Sequence, residues 1–344
     1  MTDQSTIGCD LGDRWSEICV LNADGTVNER TRIRTTPEAF RISFGTRASG
    51  RVVIEVGTHS PWVSKLLSEL GHEAIVANPR RVRLVYASRT KRDRLDAEAL
   101  ARLGRIDPNL LSPVVHRSQE TRADLAIIRA RDELVRVRSK LVNHVRGVIK
   151  SAGERLPRCE ATSFHRRVRG LIPDSLQPAL LPILDALQQL EDHIKAYERT
   201  IEVRVERVYP ETRQLTQVPG VGALTSLAFV LTIESPDRFE RSRTVGAFLG
   251  LTRRQFQSGE RDPALGITKQ GDPYLRRLLV ACAHRILGPF GKDCDLRRWG
   301  LELAARGGRA GKRRAVVAVA RKLAVLLHRL WVSGEEFVPL CYAP

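Results

Sequence analysis

No two of the six cysteines form a CxxC pair. Cys9, Cys19, Cys159, Cys282, Cys294 and Cys341 are scattered, which excludes a disulfide framework and a zinc knuckle and points to a reduced, cytoplasmic protein. Long apolar runs are also missing. The longest mainly apolar stretch, GALTSLAFVLTI at 222–233, is too short to cross a bilayer as a helix. The N-terminus, MTDQSTIGCD, has no apolar signal-peptide region. Neither GKS nor GKT follows the glycine-bearing PGVG at 219–222, so that element is not a Walker A phosphate loop. Acidic residues are outnumbered, 39 against 57 Lys and Arg, leaving a formal charge of +18 on 344 residues. Arginine supplies most of that excess, and its planar fork suits phosphate oxygens. The charge points to a polyanionic partner, with nucleic acid ahead of an anionic membrane surface.

The chain is long enough for more than one domain. Residues 6–56 read as strands: TIGCDLG, EICVLN and TVNERTRI alternate, with a turn at NADG (22–25), and VVIEV at 52–56 is a continuous apolar strand. SPWVSKLLSELG reads as a helix ending at Gly71, and EAIVANP as a further strand. A hairpin followed by strand–helix units is the element order of a ribonuclease-H-like α/β fold, although other three-layer α/β folds share it. From 119 to 153 the period becomes helical, with Leu134, Val137 or Arg138, Leu141, Val145 and Val148 marking a seam. A second helical stretch carries Leu187, Leu190, Ile194, Tyr197, Ile201 and Val208, decorated by Glu191, Lys195, Glu198 and Arg199. That spacing suits either a coiled coil or a helical hairpin packed on its own domain. The expected division is 1–115, an α/β domain; 116–210, a helical connection; 211–300, a mostly helical unit; and 301–344, a basic helical segment.

Asp10 interrupts the first strand and Glu55 the fourth. A carboxylate turned into a sheet core is costly unless it is paired, hydrogen-bonded or metal-bound; turned outward it is ordinary. In KRDRLDAEALARLG (91–104), Asp93 and Asp96 lie three apart, on one face of a helix. Asp93 also suits an N-cap, with Asp96 in the first turn. Together the four form a hard oxygen donor set that favours Mg²⁺ or Mn²⁺ over zinc. Asp13, Glu17, Asp24 and Glu98 read as surface acids.

QVPGVGALTSLAFVL (217–231) sets Gly220 and Gly222 before an apolar helix, an arrangement suited to helix-hairpin-helix contact with a sugar-phosphate backbone; it also suits a simple turn. RRQFQSGERDPALGITKQGDPYLRRLLV (253–280) then holds Ser258 among basic residues. No histidine in the stretch can serve as its base, so alone Ser258 reads as a loop hydroxyl. Arg253, Arg254, Lys269, Arg276 and Arg277 are the candidate phosphate contacts around it, with Gly266 and Gly271 allowing close backbone approach.

GCDLGDRW, VVIEVGTHSPW, KRDRLDAEALARL, LTQVPGVGALTSLAFVLTI and FLGLTRRQFQSGERDPALGITKQGDPYLRRLLV, in this order and across nearly the whole chain, resemble the DEDD insertion-sequence transposases, a group of bridge-RNA-guided recombinases. The resemblance implies an N-terminal domain like the Holliday-junction resolvases, a coiled-coil connection, and a C-terminal transposase domain with a catalytic serine. Asp10, Glu55, Asp93 and Asp96 fit the metal-binding acids of the family and Ser258 its nucleophile. The departures are KRDR where the family has KTDR, and QSGE where SSG is commoner; both keep the functional residues. The implied partners are element-end and target DNA, a noncoding bridge RNA, and further copies of the chain, as a homodimer assembling into a higher oligomer at synapsis. The implied setting is the nucleoid when DNA is bound. The carboxylates alone also suit a metal-dependent junction resolvase or nuclease, and the basic helices alone a noncatalytic nucleic-acid scaffold.

Overall fold

The computed structural model describes residues 5–80, 93–255 and 265–341, apart from the side chains of Asp93, Arg94 and Arg309. Two compact units divide at 117/118.

Apolar–polar alternation in the first unit gives β1 (Thr6–Leu11), β2 (Trp15–Leu21) and β3 (Val27–Arg34), antiparallel neighbours in turn. The β2–β3 turn closes where NADG predicts it, with Gly25 N–H donating to Asn22 O at 2.9 Å. A helix, α1 (Pro37–Gly45), then interrupts the region that reads as strands. Its cause is local: extended Thr36 accepts from Ala39 N–H at 3.3 Å, and Pro37 and Glu38 open the first turn. Phe40 and Phe44, four apart and fully buried, fix its inner face. After it come β4 (Arg51–Glu55), α2 (Ser60–Glu69), β5 (Glu73–Ala77) and α3 (Asp93–Ile106).

The five strands form one sheet in the order β3-β2-β1-β4-β5, with β1, β4 and β5 parallel. Ile7, Cys9, Val52 and Ile54 face a core shared with α1 and α2. Residues of opposite parity face α3: Val53, Ile75 and Ala77 meet Leu100 and Leu103, while Cys19 and Leu21 meet Ala97 and Ala101. The unit is therefore a mixed α/β layer structure.

The second unit is mostly helical. Its long helices α4 (Gln119–Ser151) and α6 (Gln177–Arg207), with short α5 (Phe164–Val168) between them, pair along their length. Both helices occur where the periodicity predicts, and Val145, Leu187, Ile194 and Ile201 are buried as expected, but the rest of the seam is displaced. Val142, Val145 and Ile149 of α4 pack on Leu180, Leu184 and Leu187 of α6, and Leu134 is only half-buried. Glu191 does not decorate the outside. It is buried and receives Arg138 Nη1 at 2.6 Å across the seam. Val208, expected in the seam, is exposed beyond the helix end. The seam is filled within this chain, as a helical hairpin.

The remaining elements are α7 (Thr212–Thr216), α8 (Ala223–Ile233), α9 (Val245–Phe248), α10 (Pro273–Leu287), α11 (Asp295–Ala305) and α12 (Gly308–Ser333). Residues 225–233 of α8 are all buried, which accounts for an apolar run with no polar face. Ile128 of α4 and Ile201 of α6 join the core around α8, so this end of the hairpin is rooted in the C-terminal helices. No helix among the described residues is long and apolar enough to cross a membrane.

Candidate active site and nucleic-acid interface

Asp10 and Glu55 end adjacent parallel strands, since Cys9 pairs with Ile54 in the β1–β4 register. Both are half-buried. Period-2 alternation puts Asp10 on the face of Gly8, and Glu55 on the face of Val53. That is the face α3 covers. A Cβ on Gly8 would fall 2.0 Å from Ala97 O and 2.5 Å from Ala101 N, so only glycine lets the helix backbone lie so close to β1. Farther along α3, Gly104 O accepts from Arg51, the first residue of β4, at 3.0 Å. The helix therefore runs antiparallel to β1 and β4, and its N-terminal turn lies toward the strand ends that carry Asp10 and Glu55. Position 93 is one turn before Ala97, and Asp96 one turn before Leu100; Asp96 is half-buried.

One end of one sheet face thus receives acids 10 and 55 and the helix turn of acids 93 and 96. Their oxygen chemistry suits a hard divalent cation. Among the described residues no group of three or more His, Cys, Asp or Glu is gathered closely enough to hold an ion; the Asp93 side chain lies outside those residues. The charge of Asp10 adds to burial in pushing the Cys9 thiol well above its ordinary range, so Cys9 stays protonated core.

The same strand ends carry groups that residue type alone does not reveal. Glu17 lies directly across from Asp10 in the β1–β2 register and pairs with Arg32 at 3.3 Å. Trp15, two residues earlier, has the guanidinium carbons of Arg32 and Arg34 at 5.0 and 5.3 Å from its ring centre. Glu98 accepts from Arg30 at 2.5 Å and from Arg102 at 2.8 Å, and these bonds hold its carboxyl below the usual range. Glu17 and Glu98 are ion-paired and half-buried rather than surface bystanders. Asp13 is exposed, as expected.

In the second unit, Ser258 lies outside the described residues, but the arms either side of its segment are paired antiparallel. Arg254 N–H donates to Gly266 O at 3.0 Å, Thr268 N–H to Thr252 O at 2.9 Å, and Arg253 bridges Ile267. Arg253, Gly266 and Lys269 border a groove of about 1350 Å³ whose opposite wall is α12, with Arg313, Arg314, Arg321 and Lys322. Arg276 and Arg277 are tied to groups of their own unit. Arg276 Nη1 donates to the carbonyls of Leu249 (2.9 Å) and Gln270 (3.1 Å), tying down the loop before α10. Arg277 Nη2 donates to both carboxylate oxygens of Asp132 at 2.6 Å. Asp272 caps α10, accepting from Tyr274 and Leu275 N–H at 2.8 and 2.9 Å, and also pairs with Arg129. The PGVG turn joins α7 to α8, with Gly222 as the N-cap residue of α8.

Residues 7–153 match a family described as Transposase, the DEDD transposase of IS110 type, and residues 212–291 match the Transposase IS116/IS110/IS902 family. The transposase for insertion sequence element IS1111A of Coxiella burnetii is 27% identical over 346 residues, 98% of this chain and 92% of its own length. A probable family 20 transposase of Pseudomonas aeruginosa is 31% identical over 85% of this chain and 86% of its own. The transposase for insertion sequence element IS1328 of Yersinia enterocolitica is 30% identical, covering 82% of this chain and 84% of that protein. The chain belongs to the IS110/IS1111 DEDD transposase family. The transposase is thus an enzyme of DNA recombination from a mobile genetic element, and DNA is its partner. The first match runs from the first unit into α4 of the second, and the acids lie in its first-unit part; Ser258 and the PGVG turn lie in the second match, wholly within the second unit.

Proposed function

We propose that this transposase cleaves and exchanges DNA strands through a serine–DNA phosphodiester, with Ser258 as nucleophile and Asp10, Glu55, Asp93 and Asp96 as the holders of Mg²⁺ or Mn²⁺. The observation that carries the proposal is the convergence of Asp10, Glu55 and the first turn of α3 at one end of one sheet face. Strand order β3-β2-β1-β4-β5, with an antiparallel hairpin beside parallel strands, supports the ribonuclease-H-like, resolvase-like reading of this unit. The α7–PGVG–α8 arrangement supports a helix-hairpin-helix backbone contact.

The reaction balances without an external oxidant or energy source. Ser258 Oγ attacks a DNA phosphorus, the P–O3′ bond breaks, and the departing 3′ oxygen takes a proton. A 3′ hydroxyl of a partner strand then attacks the phosphoserine, the P–Oγ bond breaks, and the serine recovers its proton. No hydrolysis intervenes, so the number of phosphodiester bonds is conserved. When bound by these acids, a divalent ion would supply electrostatic stabilisation to the reacting phosphodiester, which would spare the serine a histidine base. Base pairing with a bridge RNA selects donor and target DNA. Arg253, Lys269 and the basic face of α12 hold backbone phosphates. Ser258 and the acids meet in an assembly of more than one copy of the chain.

Strand exchange is to be measured with the element's RNA, donor and target DNA in Mg²⁺, with the Asp10→Asn, Glu55→Gln and Asp96→Asn variants beside the wild type. All three lose exchange while keeping DNA affinity, and chelation of the ion abolishes exchange by the wild type. Full exchange in chelator, or in Asp10→Asn, contradicts the metal assignment. Cleavage retained by Ser258→Ala with freely migrating products supports a metal-dependent nuclease instead.

A further inference from the structure

The link between α10 and α11, Gly288-Pro289-Phe290-Gly291-Lys292, is a tight turn closed by Gly291 N–H donating to Gly288 O at 3.1 Å. Arg297 of α11 braces it from below, donating to the carbonyl of Gly288 at 2.7 Å and to that of Ile286. A Cβ on Gly291 would fall 2.1 Å from Ile286 O, so the turn sits against the helix end with no room for a side chain there. At the tip of this braced turn Phe290 is 96% exposed.

One exposed apolar side chain decides nothing by itself. Its surroundings do. Phe290 stands at the rim of a cleft of about 360 Å³ between this turn and the PGVG turn, lined by Gly220, Gly222, Arg285 and Lys292. Gly220, at φ +86°, packs against α10 with Ile286 and Cys282 O just over 3 Å from where its Cβ would stand, which holds the two turns side by side. The neighbouring acid, Asp293, is taken up by Arg298 at 2.7 Å. The cleft therefore offers a polyanion two cations, two glycine-bearing turns and one solvent-facing aromatic ring on a braced turn.

We propose that this second turn is a nucleic-acid wedge: Arg285 and Lys292 hold phosphates of a DNA strand in the cleft, and Phe290 stacks on an unpaired or unstacked base of that strand. Aromatic stacking is tolerant of sequence because every base has a π-face, and apolar wedges open base steps in bent DNA. Both properties suit an enzyme that must handle unpaired strands while leaving sequence choice elsewhere. The inference rests on the strand-exchange reading given above, because exchange exposes unpaired bases.

The test uses the full chain, with Phe290→Ala, Phe290→Trp and Arg285→Ala, and single-stranded and junction DNA carrying 2-aminopurine. Phe290→Ala weakens binding about tenfold, the loss of one stacked base, flattens the 2-aminopurine response, and leaves the salt slope unchanged. Phe290→Trp restores both. Arg285→Ala reduces the slope of log affinity against log salt by about one phosphate contact. If the wild type binds DNA and exchanges strands while Phe290→Ala matches it in affinity and 2-aminopurine signal, the wedge is overturned and the strand-exchange reading stands. If the wild type exchanges no strands, that reading fails and takes the wedge with it. A change of oligomeric state in Phe290→Ala without change in DNA affinity makes the ring a protein contact and overturns the proposal.

Discussion

Asp10 and Glu55 stand out in the sequence because each breaks an apolar strand, and they lie on adjacent strand ends. Glu17 and Glu98 do not stand out, because a carboxylate in a polar segment shows no sign of its partner. One partner of Glu98, Arg102, is four residues away, but the other, Arg30 on an edge strand, is 68 residues away. A prediction follows from that pair. The Arg30 and Arg102 guanidiniums hold the Glu98 carboxyl below its ordinary value of about 4.3. A depressed carboxylate contributes stability that is complete above its unfolded-state pKa and is lost as pH falls through the folded value. In thermal melts, Glu98→Gln is less stable than the wild type at pH 7, and the gap closes below about pH 4. A gap that persists unchanged at pH 3 contradicts the assignment. Trp15 is equally hidden, because its two arginines come from the far end of the next strand, brought over it by the β2–β3 register.

At the scale of elements, what sets the candidate site is how closely α3 lies on β1. Gly8→Ala puts a methyl into the backbone of Ala97 and Ala101, forcing the helix off the sheet at a cost of about 1–3 kcal/mol. It also moves the turn that carries Asp93 and Asp96. Gly8→Ala therefore loses strand exchange more than its stability loss explains, checked by denaturant unfolding beside the exchange assay; full activity in Gly8→Ala contradicts the placement. The strands, α2 and the long helices were legible because their periodicity is strong. Helix α1 was not, although Thr36-Pro37-Glu38 is a start signal, because strand-like segments flank it. The α4–α6 seam is only partly legible: Val145, Leu187, Ile194 and Ile201 are buried as expected, but Glu191, buried against Arg138, looks like a polar face. Glu191→Ala leaves that guanidinium uncompensated and destabilises the protein by about 3–5 kcal/mol, whereas Glu191→Leu with Arg138→Met is near neutral. Denaturant midpoints of the two variants test this directly, and equal destabilisation by both contradicts it.

For the whole molecule, the excess of 18 positive charges is not spread evenly over solvent. Part of it is spent internally: Arg138, Arg276 and Arg277 are bound to carboxylates or carbonyls of their own unit. Another part lines surfaces, with Arg313, Arg314, Arg321 and Lys322 on the groove beside the arms of the serine segment. Charge counting alone points to a polyanion but cannot sort these two populations, because the partners come from distant segments. Nor could the stretch around Ser258 alone indicate an activating group, since the acids proposed for that role lie in a different unit. The division of the proposed machinery between two units also makes the central claim directly testable. Assembled protein, RNA and a nicked DNA substrate in Mg²⁺ should be quenched, digested and examined by mass spectrometry for a nucleotide joined to the peptide that contains residue 258. The account predicts a phosphoserine-linked nucleotide on Ser258, absent in Ser258→Ala and in Asp10→Asn. Strand exchange that proceeds with no adduct, or with Ser258→Ala fully active, would contradict it.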